Sequence, residues 1–270
     1  MSGAKPIAAN VPAMMLMGFA FGSTPPTTER RNVMMLSVEI WRGTSSGHFQ
    51  PFEVPCRDNQ TVLDVVTEIQ RSQDATLAYR FACRVGMCGS CAMVVNGRPR
   101  WTCRTRACEV AAGDGRLTLE PLRNFTIVRD LAVEMTDFFD KWRDAKGYFE
   151  PGAAPAADFA MVPPASRERQ AADAGIECIG CGVCYSACDV VAWDKDYLGP
   201  AALNRAWTLV NDVRDRAHDA RLAAVSGASG CLACHTHMSC TNFCPKGIAP
   251  TYSIAGLKRA MLTRTLRVRR

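Results

Sequence analysis

Cys178-Ile179-Gly180-Cys181-Gly182-Val183-Cys184-Tyr185-Ser186-Ala187-Cys188 places four cysteines at the spacing Cys-x2-Cys-x2-Cys-x3-Cys. Residues 234–244 repeat that spacing as Cys234-x2-His237-x2-Cys240-x3-Cys244-Pro245, with a histidine at the second ligand position. The run is the iron–sulfur ligand pattern of two-cluster ferredoxins, in which the fourth cysteine of each run serves the other run's cluster. One site is therefore expected to use Cys178, Cys181, Cys184 and Cys244, four thiolates that suit a [4Fe–4S] cluster. The other is left with Cys188, Cys234 and Cys240, and three thiolates point to [3Fe–4S]. The two runs must meet in space, because each completes the other's site.

A third set lies upstream. Cys83-Arg84-Val85-Gly86-Met87-Cys88-Gly89-Ser90-Cys91 with the later Cys103 has the Cys-x4-Cys-x2-Cys…Cys spacing of a plant-type [2Fe–2S] site. Its glycines suit a loop that turns tightly and aims backbone N–H groups at sulfur. The three sets use eleven of the fourteen cysteines and leave Cys56, Cys108 and Cys231. Disulfides and structural zinc are the competing readings. Disulfide frameworks belong mainly to small secreted domains, and this chain of 270 residues, 48% hydrophobic, carries no convincing secretory signal. Zinc sites need four-ligand sets and would not explain a duplicated four-cysteine run. Cys56 and Cys108 read as buried or loop thiols.

A net charge of +6 is mild, and no basic stripe interleaved with aromatics points to nucleic acid. The basic C-terminal group, Lys258, Arg259, Arg264, Arg267, Arg269 and Arg270, reads either as a solvated helix end or as a contact for acidic headgroups or an acidic partner. No apolar run reaches the length of about 18 residues that a membrane span needs. Residues 1–34, rich in Met, Ala, Pro and Thr, read as an extension outside the compact fold.

From Leu36 to Trp41 apolar and polar residues alternate, as in a half-buried strand. Phe49–Val54 is a second strand, and residues 61–69 have helical periodicity with Asn59 or Thr61 as cap. Ala92–Val95, the Asn96-Gly97 turn and Arg98–Thr102 predict a hairpin, and Leu117–Glu120 closes the sheet. The fold class is α+β: a β-grasp [2Fe–2S] ferredoxin-like domain over 35–132, then an α-helical two-cluster ferredoxin domain over 133–270. Apolar residues at helical spacing over Val128–Trp142 predict the helix that begins the second domain. Further helices are expected over 167–174, 200–214 and 250–262, with a Pro- and Ala-rich loop over 150–166. No Gly-x-Gly-x-x-Gly follows a strand, so no dinucleotide site is expected. No hydrolytic nucleophile–base motif is present either.

Taken together, these stretches resemble the iron–sulfur subunits of the succinate dehydrogenase/fumarate reductase family. The resemblance rests on Cys83-Arg84-x-Gly86-Met87-Cys88-Gly89-Ser90-Cys91, Ile127-Val128-Arg129-Asp130-Leu131 and Glu177-Cys178-Ile179-x-Cys181-Gly182-x-Cys184. Gly199-Pro200-Ala201, Cys234-His235 and Cys244-Pro245-Lys246-Gly247-Ile248 extend it. The family resemblance implies an electron-transfer subunit with no substrate-converting site of its own. A separate flavoprotein subunit would oxidise succinate at FAD. Electrons would pass through [2Fe–2S], [4Fe–4S] and [3Fe–4S] to quinone at one or more membrane-anchor subunits. It also implies a peripheral place on the cytoplasmic face of a bacterial inner membrane, or the matrix face of a mitochondrial one. Trp193 and His235 match the positions that lie beside quinone in the family, and the histidine leans toward the succinate-oxidising branch. Without the resemblance, Trp193 reads as a core or interface aromatic and His235 as a donor to cluster sulfur. Fumarate reductase, a related dicarboxylate oxidoreductase and a free-standing ferredoxin-like carrier are the alternatives.

Three positions depart from the family pattern. Asp189 replaces a proline, which sets a carboxylate either beside the three-thiolate site, where it would lower the potential, or out toward solvent. His237 replaces an apolar residue at the missing ligand position; it either lines the quinone pocket or ligates iron. Cys231 is either a packed thiol or a substitute ligand. His48 and His218 read as surface residues.

Overall fold

The computed structural model describes residues 34–111, 113–152 and 161–268. The expected extension therefore falls, except for Met34, outside the described residues, as do Arg269 and Arg270 of the basic group.

Strand β1 (Met35–Arg42) alternates exposed and buried residues along its length, and it pairs antiparallel with β2 (His48–Pro55). Helix α1 (Val62–Ser72) follows. Thr61 caps it: the Thr61 hydroxyl accepts from the Asp64 N–H, and the Asp64 carboxylate accepts from the Thr61 N–H, a reciprocal capping box. Strands β3 (Ala92–Val95) and β4 (Arg98–Trp101) form the hairpin predicted at Asn96-Gly97. A short helix α2 (Ala107–Val110) precedes β5 (Arg116–Glu120), which runs parallel to β1 and antiparallel to β3. The five-stranded sheet has the order β2-β1-β5-β3-β4. Val62, Val65, Val66 and Ile69 of α1 pack on Leu36, Val38, Ile40, Leu117 and Leu119, the β-grasp arrangement the alternation predicts.

The stretch 128–142 corrects the sequence reading. Its first part is not helix but a small two-stranded sheet, β6 (Ile127–Arg129) with β7 (Ala132–Val133); helix α3 begins only at Thr136 and ends at Asp144. The reason is Asp130, 1% exposed, which takes φ +50° at the turn. Its carboxylate accepts from the N–H groups of Gly43 and Ala78 (2.7 and 2.8 Å) and pairs with Arg42 Nε at 3.2 Å. Such long-range partners override local periodicity.

The rest is helical: α4 (Arg167–Ile176), α5 (Val183–Ser186), α6 (Asp189–Trp193), α7 (Gly199–Val210), α8 (His218–Ala224), α9 (Ser239–Asn242) and α10 (Pro250–Val268). Helix α7 is the central post, buried along nearly its whole length. It stops at Val210, short of the expected 214, because the Asp212 carboxylate takes up the Arg214 backbone and guanidinium in a local turn. Arg221 and Asp215, both fully buried, form an ion pair at 2.7 Å, and Arg221 also donates to the carbonyls of Lys146 and Tyr148. His48 and His218 are exposed, as expected.

Cys56 and Cys108 are a second correction. They are joined as a disulfide, with Cα atoms 6.3 Å apart, between the end of β2 and α2. A separation of 52 residues hides such a pairing from spacing rules; only the way α2 folds back beside β2 makes it visible.

Candidate metal centres

The first set of thiols lies on a loop at the edge of the sheet. Arg84, Gly86 and Gly89 all have positive φ, so the loop curls around Cys83. The N–H groups of Val85, Met87 and Cys88 point at Cys83 Sγ from 3.5, 3.2 and 3.3 Å. The Ser90 hydroxyl, foremost among several donors, holds the Cys88 thiol down to about 6. Burial, and then the adjacent Cys91 sulfur, pushes Cys103 up to about 11. All four predicted residues are thus mutual neighbours. Phe81, Val85 and Met87 around them are exposed, and Arg84 stacks on Phe81 at 4.6 Å.

The two later runs meet crosswise, as the pattern requires. One cavity is lined by Cys178, Cys181, Cys184 and Cys244, with Ile179, Ala201 and Ile248 giving it apolar walls. A second is lined by Cys188, Cys234 and Cys240. Short helix α5 carries Cys184 toward one cavity, and Cys188 just beyond it faces the other. Asn124 fixes this segment by donating from Nδ2 to the carbonyls of Tyr185 and Cys188 at 3.0 and 3.1 Å.

The donor chemistry fits iron–sulfur clusters. Burial, with neighbouring sulfurs adding to it, raises the thiols of Cys178, Cys181, Cys188 and Cys240 above their ordinary value, and Cys184 well above it. Several thiolates in an apolar cavity are unfavourable alone; a coordinating cation stabilises them and deprotonates the thiols outright. The sulfurs line shared cavities, which suits a polynuclear core.

The three sets are close-set in series. A Cβ on Gly89, in the first loop, would lie 2.5 Å from Cys181 Cβ in the second set. The second and third sets share the segment from Cys184 to Cys188. Beside the cavity of the third set, which His235 and His237 line, Trp193 is 69% exposed, and its ring centroid is 5.6 Å from that of His237. His235 is exposed, with its ring 6.2 Å from His237. His237 Nδ1 lies 3.1 Å from Asp189 Oδ2, and both side chains reach solvent. The carboxylate at the departed proline therefore partners the histidine at the missing ligand position. Cys231 is fully buried against Met261 on α10.

Sequence reasoning missed two residues that touch the thiols. Tyr197, 1% exposed, lines the same cavity as Cys234, and burial, with the neighbouring sulfurs adding to it, pushes its hydroxyl's pKa far up. Trp101 lies in one apolar cluster with Cys91, Cys103 and Cys181. Neither occupies a ligand spacing, so only the tertiary fold marks them.

The comparisons with known proteins agree with this geometry. A pattern described as a 2Fe-2S iron-sulfur cluster binding domain matches residues 37–140, and a 4Fe-4S dicluster domain matches residues 175–248. The chain is 36% identical to the fumarate reductase iron-sulfur subunit of Mycobacterium tuberculosis, over 83% of this chain and 90% of that one. It is 35% identical to the mitochondrial succinate dehydrogenase [ubiquinone] iron-sulfur subunit of Candida glabrata, over 81% of this chain and 86% of that one. Among solved structures, a chain of the Mycobacterium smegmatis Sdh1 complex in the apo form matches with a TM-score of 0.78 at 27% identity, covering 86% of this chain and 97% of that one. This chain belongs to the family of iron–sulfur subunits of succinate dehydrogenase and fumarate reductase.

Proposed function

We propose that this protein conducts electrons from the FAD of a separate flavoprotein subunit to a quinone held at a membrane-anchor subunit, in the direction of succinate oxidation. The observation that supports this most is the serial contact of the three thiol sets, from an exposed loop at one end to an exposed aromatic and histidine rim at the other. Cys83, Cys88, Cys91 and Cys103 would hold [2Fe–2S]; Cys178, Cys181, Cys184 and Cys244 would hold [4Fe–4S]; Cys188, Cys234 and Cys240 would hold [3Fe–4S]. Bound there, the clusters supply one-electron redox chemistry that no side chain offers. The protein's own part is spacing, exclusion of water and donation to sulfur. The amides around Cys83 are such donors.

At the far end, His235 would hydrogen-bond a quinone oxygen, and the Trp193 indole N–H would offer a second donor. Met238, which lines the same cavity, is also exposed, which suits an apolar ring and a membrane-embedded partner. Among the described residues no helix is long and apolar enough to cross a membrane. We place the protein peripherally, held by anchor subunits, on the cytoplasmic or matrix face. The flavoprotein would dock at the other end, over Phe81, Val85 and Met87. The division into a sheet module over 35–132 and a helical module over 133–270 belongs to the same proposal.

The complex purified with its partner subunits tests the direction. Succinate-dependent quinone reduction faster than quinol-dependent fumarate reduction supports the reading. The reverse ratio would assign the chain to fumarate reduction, a role that the Mycobacterium tuberculosis relative's name keeps in view.

A further inference from the structure

Helix α10 presents apolar side chains in two directions. On the inner side, Thr251 and Ile254 line the cavity of the third set, and Met261 packs on Cys231. Lys258 also turns inward and donates to the Cys234 carbonyl at 2.9 Å. The other side carries Tyr252, Arg259, Leu262 and Leu266, which the helical repeat sets on one stripe. All four are exposed, the two leucines by 66% and 64%. A surface helix ordinarily turns polar residues outward, whereas this one leaves a tyrosine and two leucines there. The charge around the stripe has one sign. Arg264 on the same helix, with the exposed Asp219 at 3.6 Å, is followed in the sequence by Arg267, Arg269 and Arg270, and no Asp or Glu occurs beyond Asp219.

We propose that the outer face of α10 is a docking surface for anionic phospholipid, on which the helix lies flat in the headgroup layer. Tyr252, Leu262 and Leu266 enter at the acyl boundary, and Arg259, Arg264 and the arginines after them meet the phosphates. The inference rests on the proposed reading that the third set faces a membrane. An apolar stripe beside cations is the pattern of a helix that lies in an interface, and α10 is not apolar enough to cross one. Arginine suits this place, because its stem covers apolar surface while its planar guanidinium pairs with phosphate oxygens. An acidic protein surface would answer the arginines but not the leucine stripe; a bilayer of anionic lipid answers both. Because the inner face of α10 walls the third cavity, a helix held in this way sets that cavity at the membrane surface beside the anchor.

The test is co-sedimentation of the full, iron-replete chain, freed of anchor subunits, with vesicles of phosphatidylcholine alone or mixed with phosphatidylglycerol. Binding is expected on the mixed vesicles and not on the neutral ones. Raising salt from about 0.1 M to about 1 M, which shortens the screening length from about 10 Å to about 3 Å, should weaken it at least tenfold. The joint substitution of Arg264→Gln, Arg267→Gln, Arg269→Gln and Arg270→Gln should weaken it about a hundredfold or more, at roughly fivefold per charge. Leu262→Ser with Leu266→Ser should weaken it about tenfold or more. Iron content and EPR signals should be unchanged in both variants. Equal binding to the two kinds of vesicle, no binding to either, or binding undiminished in either variant would overturn the inference; retention by the anchor subunits alone would assign the face to a protein and overturn it too. Failure on vesicles while the complex with its partner subunits still reduces quinone overturns this inference alone. Vesicle binding that holds while that complex fails to reduce quinone overturns the proposed electron path instead.

Discussion

The two halves of the chain hold their thiols in different ways. In the sheet half, the core of Leu36, Val38, Ile40, Val65, Val66 and Ile69 contains no predicted cluster ligand; Cys83 and Cys88 lie on a loop at its edge, and Cys91 and Cys103 are buried in a separate, smaller cluster. In the helical half the thiols belong to the core: Cys184 and Cys240 are buried in it, with Cys188 and Cys234 packed against it. The first module is built by a hydrophobic pattern and borrowed by a cluster; the second is built around its clusters. The free energy of cluster binding should therefore be folding free energy mainly in the second.

Removing iron with a chelator under reducing conditions should separate the halves. Hydrogen exchange is expected to show amides of α5, α6 and α9 losing nearly all protection while β1, β2 and α1 keep theirs; equal loss in both would break the contrast. Next in size, Gly89→Ala should force the first loop off Cys181, since the added carbon would lie 2.5 Å from Cys181 Cβ. A misplacement of that order is expected to slow electron transfer between the first two centres by roughly ten- to a hundredfold, read by freeze-quench EPR. Arg221→Met leaves Asp215 buried without its partner and should cost about 3–5 kcal/mol in denaturant titration, an effect confined to the helical half. Thr61→Ala removes the capping box of α1 and should cost about 1 kcal/mol, felt only in the sheet half.

The smallest effect concerns acid. Asp74 in the sheet half is held well below the usual carboxylate range, first by the Thr76 hydroxyl and then by Arg42. Its folded-state pKa lies below the unfolded one. The contribution is thus complete above about pH 4, the unfolded value, and is lost as pH falls through the folded one. Asp74→Asn should flatten the acid limb of the stability curve below pH 4 and leave the neutral region's slope unchanged. A steeper acid limb in the variant would contradict the assignment.

The sequence made the ligands legible because thiol spacing is a short-range rule: each run encodes the reach of one loop or turn around a cluster. The strands and α1 were legible because burial in a sheet imposes period two and in a helix period 3.6. What stayed hidden depends on chain segments far apart. Asp130 overrides a helical pattern through partners at Gly43 and Ala78. Asp189 meets His237 across 48 residues, and the disulfide spans 52. Trp101 looks like any apolar strand residue until the helical half is laid against it.

The central claim is that three clusters stand in series on eleven cysteines, with three ligands for the last. Iron and acid-labile sulfide analysis with EPR, on the anaerobically purified complex, tests it most directly. About nine irons per chain are predicted, two plus four plus three, with a [3Fe–4S] signal in the oxidised state. A tenth iron without that signal would make His237 or Cys231 a ligand and contradict the three-thiolate site; zinc in place of iron would contradict the whole account.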